Sequence, residues 1–395
     1  MKKTCLFTAY PFDGWHGSMI HICEIAAYLN ACGYDCYCAA VSITPIVKNY
    51  ARSQGLKVYH INELPLDTHY DIVWAYHFPI LSTLLYNGLK CGKIHVGSLS
   101  SFLPIEMLPP YYNECAFCSV VSQECKDILI NDYLLDSTYI HVIPNFLPDK
   151  FVQDKKVRKA LKNIIVVSNH PPRELYDLPK YLKNINIDFY GQNSIHYKPI
   201  TPEILSKYDV VISIGKTVQY ALGMGIPVYE YDQFGGCGYI TTQNYLGEED
   251  FNYSGRATRR KLTPKKIAQE LIDQYDCILP QLTDLKNMAK DRYLLSKNVD
   301  IIITKLNSVP DTVIQKSSEN LLFFAYSRCL VSYLNQMGTP YSNNSAQIKQ
   351  TSKTKQYKIF NLPVFKIKTK GKNGLKIKRY YLLGILVFTK HGQIG

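Results

Sequence analysis

The sequence predicts an α/β protein of two Rossmann-like, doubly wound halves facing a cleft, followed by a C-terminal helix and a basic tail. Three observations carry that class. The first 145 residues alternate short apolar strands with longer helix-like segments. A second alternating series begins at Asn163. Between them, Pro144-Asn145 breaks the pattern and the polar, basic stretch 148–162 reads as a linker.

In the first series the strand candidates are 4–9, 35–41, 57–61, 71–76, 94–97, 117–122 and 140–143. Residues 18–30 carry Ile22, Ile25, Ala26 and Leu29 at helical spacing, with Gly33 as a stop. The second series offers strands at 163–167, 187–190, 209–214 and 227–231, and helices at 202–207, 217–224, 264–275 and 283–306. A further helix over 319–337 is apolar except for the stripe Arg328, Ser332 and Gln336. The expected division is 1–147, 148–310, a helical segment 311–340, a polar linker 341–356 and a tail 357–395. Two doubly wound halves place a ligand crevice at the carboxyl ends of their strands.

Of 395 residues, 46% are hydrophobic and 19% charged, a globular composition. The formal charge of +13 is localised: 13 of the 45 basic residues follow Glu319 and no acidic residue does, so residues 1–319 hold 32 of each sign. A neutral body argues against nucleic acid as partner. The 12 cysteines are irregularly spaced, and Cys115/Cys118 has no second pair at metal spacing, so reduced thiols in the cytoplasm are expected. The start Met1-Lys2-Lys3 imitates a leader, but the apolar stretch ends by Tyr10, too short for one. No run approaches the ~20 apolar residues of a membrane span.

The block from Asp209 to Tyr229 reads strand, turn at Gly215, helix, stop at Gly225, strand. The helix opening at Lys216-Thr217 offers free N–H groups and a dipole to a phosphate, with Lys216 adding a point charge; the alternative is an ordinary strand–helix turn. Gly-Lys-Thr is also how a P-loop ends, but that motif needs glycine where Val210 stands. Downstream, Gly235 and Gly236 fall in a glycine-rich loop that either lets backbone approach a ligand or merely connects. Arg256 carries a guanidinium suited to a diphosphate, or is a surface residue. Asp13, His16 and His77 follow strands of the first half, where a base could take a proton from a hydroxyl; each could equally be structural. No Asp-x-Asp metal motif occurs, so neither metal nor bound cofactor is expected.

The run Ala221-Leu222-Gly223-Met224-Gly225-Ile226-Pro227-Val228, after a strand, a glycine and a helix start, resembles the donor signature of GT-B glycosyltransferases, especially the large retaining nucleotide-sugar family. Gly14 and Gly17 before the first helix, His77 after its strand, Val120–Lys126, Val142-Ile143-Pro144-Asn145 and Met288–Ser296 are similar to further pieces of that family, in order over about residues 1–310. The resemblance implies an acceptor-binding first half, a donor-binding second half, and sugar transfer from a nucleotide sugar to a glycan or lipid-linked acceptor. It also sets Arg173 against the diphosphate and Tyr220 in the donor site. The sequence departs from the family where two glutamates eight positions apart are expected: Ile212 and Tyr220 stand there. Retaining stereochemistry is therefore not implied, and a catalytically silent GT-B subunit that binds glycan or nucleotide is the alternative.

The tail repeats itself loosely: residues 357–365 match 380–388. Between the copies, 366–378 alternates at the strand period around Asn373-Gly374, a hairpin signal. Folding there groups Phe365, Ile367, Tyr380 and Leu382 on one face and Lys366, Lys368, Lys370 and Arg379 on the other, with Lys368 opposite Arg379. Opposed like charges are destabilising unless an anion neutralises them, which points to an anionic lipid surface; a solvated tail and a nucleic-acid arm are the alternatives. Such tails resemble those of bacterial enzymes that build surface polysaccharide on lipid carriers, implying a peripheral position on the inner face of the cell membrane.

Overall fold

The computed structural model describes residues 2–100, 102–153, 159–192, 194–337, 351–359, 362–372, 375–382 and 385–393. In the first half, strands β1 (Thr4–Ala9), β2 (Asp35–Ala40), β3 (Leu56–His60), β4 (His69–Ala75), β5 (Lys90–Ser98), β6 (Phe117–Val120) and β7 (Ile140–Val142) alternate with helices α1 (Gly17–Ala31), α2 (Pro45–Ser53), α3 (Phe78–Tyr86) and α4 (Gln123–Asn131). The strands form one parallel sheet in the order β3-β2-β1-β4-β5-β6-β7. Period-two alternation puts Cys5, Phe7 and Ala9 into one apolar core and Leu6 into the core on the other face. The sheet is therefore buried on both sides, as a parallel sheet requires. Cys36 and Cys118 share that burial, which pushes their thiols up to about 12.

The second half comprises β8 (Asn163–Val167), β9 (Asn186–Tyr190), β10 (Val210–Ser213), β11 (Val228–Asp232) and β12 (Gly235–Tyr239). Its helices are α5 (Arg173–Tyr176), α6 (Pro202–Leu205), α7 (Lys216–Gly223), α8 (Tyr245–Glu249), α9 (Pro264–Asp273), α10 (Tyr275–Ile278) and α11 (Leu282–Tyr293). The sheet order is β12-β11-β10-β8-β9, parallel except for β12. β12 corrects the expected glycine-rich loop: Gly235 and Gly236 open a strand that pairs back on β11.

The single helix expected over 283–306 is two. At Leu294 the backbone turns extended (φ −50°, ψ 124°) and pairs with Leu147. Leu147 N–H donates to Tyr293 O and Leu295 N–H to Leu147 O, both at 2.8 Å, so the two crossings between the halves lie side by side. Helix α12 (Leu295–Asn307) then buries Leu295, Val299, Ile302 and Leu306 in the core of the first half, although a division at 310 assigns it to the second. Helix α13 (Ser318–Met337) also packs on the first half, with Phe323 against Phe78 and Phe324 against Tyr111.

The tail forms an antiparallel four-stranded sheet of β13 (Thr351–Ile359), β14 (Leu362–Lys372), β15 (Leu375–Leu382) and β16 (Ile385–Gln393). Strand β13 begins inside the stretch expected to be a polar linker. Lys368 pairs with Arg379, Ile367 with Tyr380 and Phe365 with Leu382, the register expected of a hairpin at Asn373-Gly374, two residues that lie outside those described. Each sequence repeat closes a hairpin of its own: Tyr357 pairs with Phe365 and Tyr380 with Phe388.

Candidate functional site

Between the halves lies a cleft of about 370 Å³. The second half supplies most of its wall, from the carboxyl ends of β8, β9, β10 and β11 and the amino end of α7. Trp15, Gly17 and Ile20 close it from the first half. This is where doubly wound sheets bind ligands. At the start of α7, Gly215 holds φ +59°, a left-handed conformation that favours glycine. Its N–H donates to Tyr253 O at 2.8 Å, fixing the turn.

A buried polar chain runs beneath the cleft from one half to the other. Lys216 Nζ lies 2.7 Å from Glu24 Oε2 of α1 and 3.2 Å from both Phe146 O and His21 Nδ1. Tyr220 donates its hydroxyl to Glu24 Oε1 and stacks on Phe151 at 4.1 Å. Because Lys216 donates to Nδ1, the His21 proton belongs on Nε2, which is 2.8 Å from the Tyr76 hydroxyl. Burial, reinforced by the Lys216 charge, lowers the His21 pKa well below its ordinary value, consistent with a neutral ring. Burial likewise lowers Lys216, against which the Glu24 carboxylate works.

At the cleft mouth, His16 Nε2 lies 3.1 Å from Asp13 Oδ1, both side chains partly exposed. His16 caps α1 between Trp15 and Gly17, which line the cleft. Trp15 crosses to the second half: its backbone N–H donates to the Tyr197 hydroxyl (2.9 Å) and its indole N–H to Tyr197 O (3.1 Å). On the facing wall, buried Asp232 accepts a 2.7 Å hydrogen bond from Ser168, and burial raises its pKa.

No family model and no curated protein matches the sequence. Solved structures do. A glycosyltransferase from Rickettsia africae is similar at 13% identity over 78% of this chain and 100% of its own, with a TM-score of 0.52. HepE from Anabaena, solved with UDP-glucose, is similar at 12% identity over 78% and 100%, with a TM-score of 0.56. TarM is similar at 10% identity over 78% and 99%, with a TM-score of 0.51. The chain has the GT-B fold.

Within this GT-B frame the expected site residues part company. Gly215, Asp13, His16 and cleft-lining Thr217 gather at or near the cleft. Lys216 and Tyr220 also line it, but their polar ends are engaged by Glu24. Ile212, one of the two positions where the resemblance leads one to expect a carboxylate, is buried in β10. Arg173 is 91% exposed and pairs weakly with Asp177 outside the lining. Arg256, expected on a diphosphate, forms a two-pronged pair with Glu124 of α4, at 2.6 and 2.9 Å. His77 is buried at the start of α3, its Nε2 3.5 Å from Glu106 and its Nδ1 3.4 Å from Thr8 O, so it faces the interior. Gly235 and Gly236 stand against crossing backbone and outside the cleft lining. A Cβ on Gly236 would stand 1.8 Å from Glu230 O, and one on Gly235 2.4 Å from Arg260 O.

Sequence reasoning missed Glu24, Asp232 and Tyr197. Glu24 is buried on the side of α1 opposite Ile22, Ile25, Ala26 and Leu29, so helical spacing reads it as a solvent-facing carboxylate and gives no signal for it. That reasoning missed as well a trio from β11, β12 and α8, half-buried at Cys237 and buried at the two glutamates, outside the cleft lining. Glu230, Cys237 and Glu248 bring possible ligand atoms within 4.8 Å of one another. Burial, then the Glu248 charge, pushes Glu230 up to about 8.

Proposed function

We propose that this chain is a glycosyltransferase that moves a sugar from a nucleotide-sugar donor in the cleft to a glycan or lipid-linked acceptor in bacterial surface-polysaccharide synthesis. The observation that carries the reading is the cleft itself, walled by the strand ends of the second sheet and the amino end of α7. HepE, which shares the fold, was solved with UDP-glucose. The α7 dipole and the Thr217 hydroxyl suit the diphosphate. The Lys216 charge is largely neutralised by Glu24, so it contributes less than its position suggests. Across the cleft, Asp13 orients His16, which takes the acceptor hydroxyl's proton as the hydroxyl oxygen attacks the sugar carbon and the nucleoside diphosphate leaves. No metal is invoked. The tail sheet, with every basic residue after Glu319 except Arg328 and Lys349 and no acidic one, suits an anionic membrane surface on the cytoplasmic side.

A silent binding subunit is the second reading, favoured by Ile212 and Tyr220, which bring no carboxylate to the donor side. Calorimetric titration with UDP and UDP-glucose, paired with thermal unfolding, tests the first step: donor at 100 times its Kd stabilises by about 2.7 kcal/mol. If no nucleotide or nucleotide sugar binds or raises the unfolding temperature, the transferase reading fails and only a glycan-binding silent subunit is left. Binding without release of UDP to any acceptor would favour the silent subunit.

A further inference from the structure

The pair that removes Arg256 from the diphosphate builds something else. Its guanidinium carbon sits 4.8 Å from the ring centre of Phe102, in the first half, and 5.6 Å from that of Phe234, in the second. Both rings are exposed, at 53% and 39%, whereas the Arg256 and Glu124 side chains beneath them are nearly covered. Cation–π contact fixes the rings against the guanidinium. The two-pronged carboxylate occupies the edge of the guanidinium that would otherwise seize an anion and cancels its charge. What remains is a neutral, aromatic, preorganised surface with one ring from each half. It continues the cleft directly, since Asp232 and Gln233 line the cleft and Phe234 follows them in the chain.

We propose that Phe102 and Phe234, held by Arg256, form the platform on which the acceptor presents a neutral sugar ring. The C–H face of a pyranose stacks on aromatic faces and buries apolar area there, while the Arg256 charge, already matched by Glu124, offers little to a charged sugar. The platform rests on the glycosyltransferase reading for the word acceptor, but its sugar binding can be measured separately. Because the two rings come from different halves, the platform exists only when the halves stand as they do here.

The test is saturation-transfer NMR on the full chain with methyl glucoside, methyl galactoside, methyl N-acetylglucosaminide and, as the charged counterpart, methyl glucuronide. The expected result is transfer to ring protons of at least one neutral glycoside, weaker transfer to the glucuronide, and a roughly 3–10-fold loss in the F102L/F234L variant, which keeps apolar bulk but no ring. UDP affinity should be the same in both proteins. Undiminished transfer in the variant, no transfer from any neutral glycoside, or preference for the glucuronide each overturns the platform. Failure of the parent chain to bind UDP or UDP-glucose instead counts against the donor reading and leaves the sugar-binding result standing.

Discussion

Glu24→Gln isolates the bridge beneath the cleft. In the parent, Glu24 Oε2 neutralises Lys216 at 2.7 Å while Oε1 accepts from Tyr220. Both charged side chains are nearly covered, at 6% and 10% exposed, so solvent screens little of the pair. The amide keeps one acceptor and turns an N–H₂ toward either the ammonium or the phenol, each already a donor. Lys216 then retains only Phe146 O and the neutral His21 ring. Breaking one side of a buried pair costs about 3–5 kcal/mol, and that is the loss expected in urea unfolding at neutral pH. The sign with pH follows. An orphaned Lys216 has a folded pKa pushed further below its unfolded value, so the native state binds fewer protons and stability rises with pH. The deficit should therefore be larger at pH 6 than at pH 9. Lys216→Met added to Glu24→Gln should recover more than half of it, because no buried charge is left. A Glu24→Gln variant within about 0.5 kcal/mol of the parent, or a double variant weaker than the single, would refute the bridge.

Asp13→Ala and His16→Ala should each keep UDP affinity and lose roughly 10²–10⁴ in transfer rate; two variants at parental turnover would remove the pair from the chemistry. Glu230, raised to about 8, binds its proton more tightly folded than unfolded. Its contribution is full below the ordinary carboxyl range and is lost as pH climbs toward 8. The melting temperature should thus fall over that interval in the parent and stay flatter in Glu230→Gln, and parallel profiles would show the proton to be held elsewhere. Deleting residues 341–395, which removes all basic groups after Glu319 except Arg328, should leave UDP binding intact and reduce flotation with anionic vesicles. Parental flotation should weaken with salt, since exposed charges are screened within ~10 Å at 0.1 M; equal flotation of the two proteins ends the membrane reading.

What the sequence disclosed was local. Alternation and helical spacing place β1, α1, β8 and β10, and the tail register follows from alternation around one turn signal. Partners distant in the chain stayed hidden. Lys216 reads as a free cation until Glu24 arrives from α1, and Arg256 as a phosphate ligand until Glu124 arrives from α4. Gly235 and Gly236 read as a loop because composition cannot reveal that a crossing backbone leaves no room for a Cβ. The break at Leu294 carries neither glycine nor proline. It is imposed by pairing with Leu147, a tertiary contact that overrides a good helical pattern. His77 occupies the expected strand end, but the Glu106 segment roofs it over.

The adjacent crossings at Leu147 and Leu294 make the second half a cassette. The chain leaves the first half and re-enters it through two strands zipped together by hydrogen bonds, and α12 and α13 then complete the body it left. A joint of two parallel straps bends about one axis and resists twisting, so opening and shutting is a door's motion on paired pins. The same geometry gives the inserted piece neighbouring ends, so a second half of different sequence can be exchanged at that one doorway without re-routing the rest of the chain.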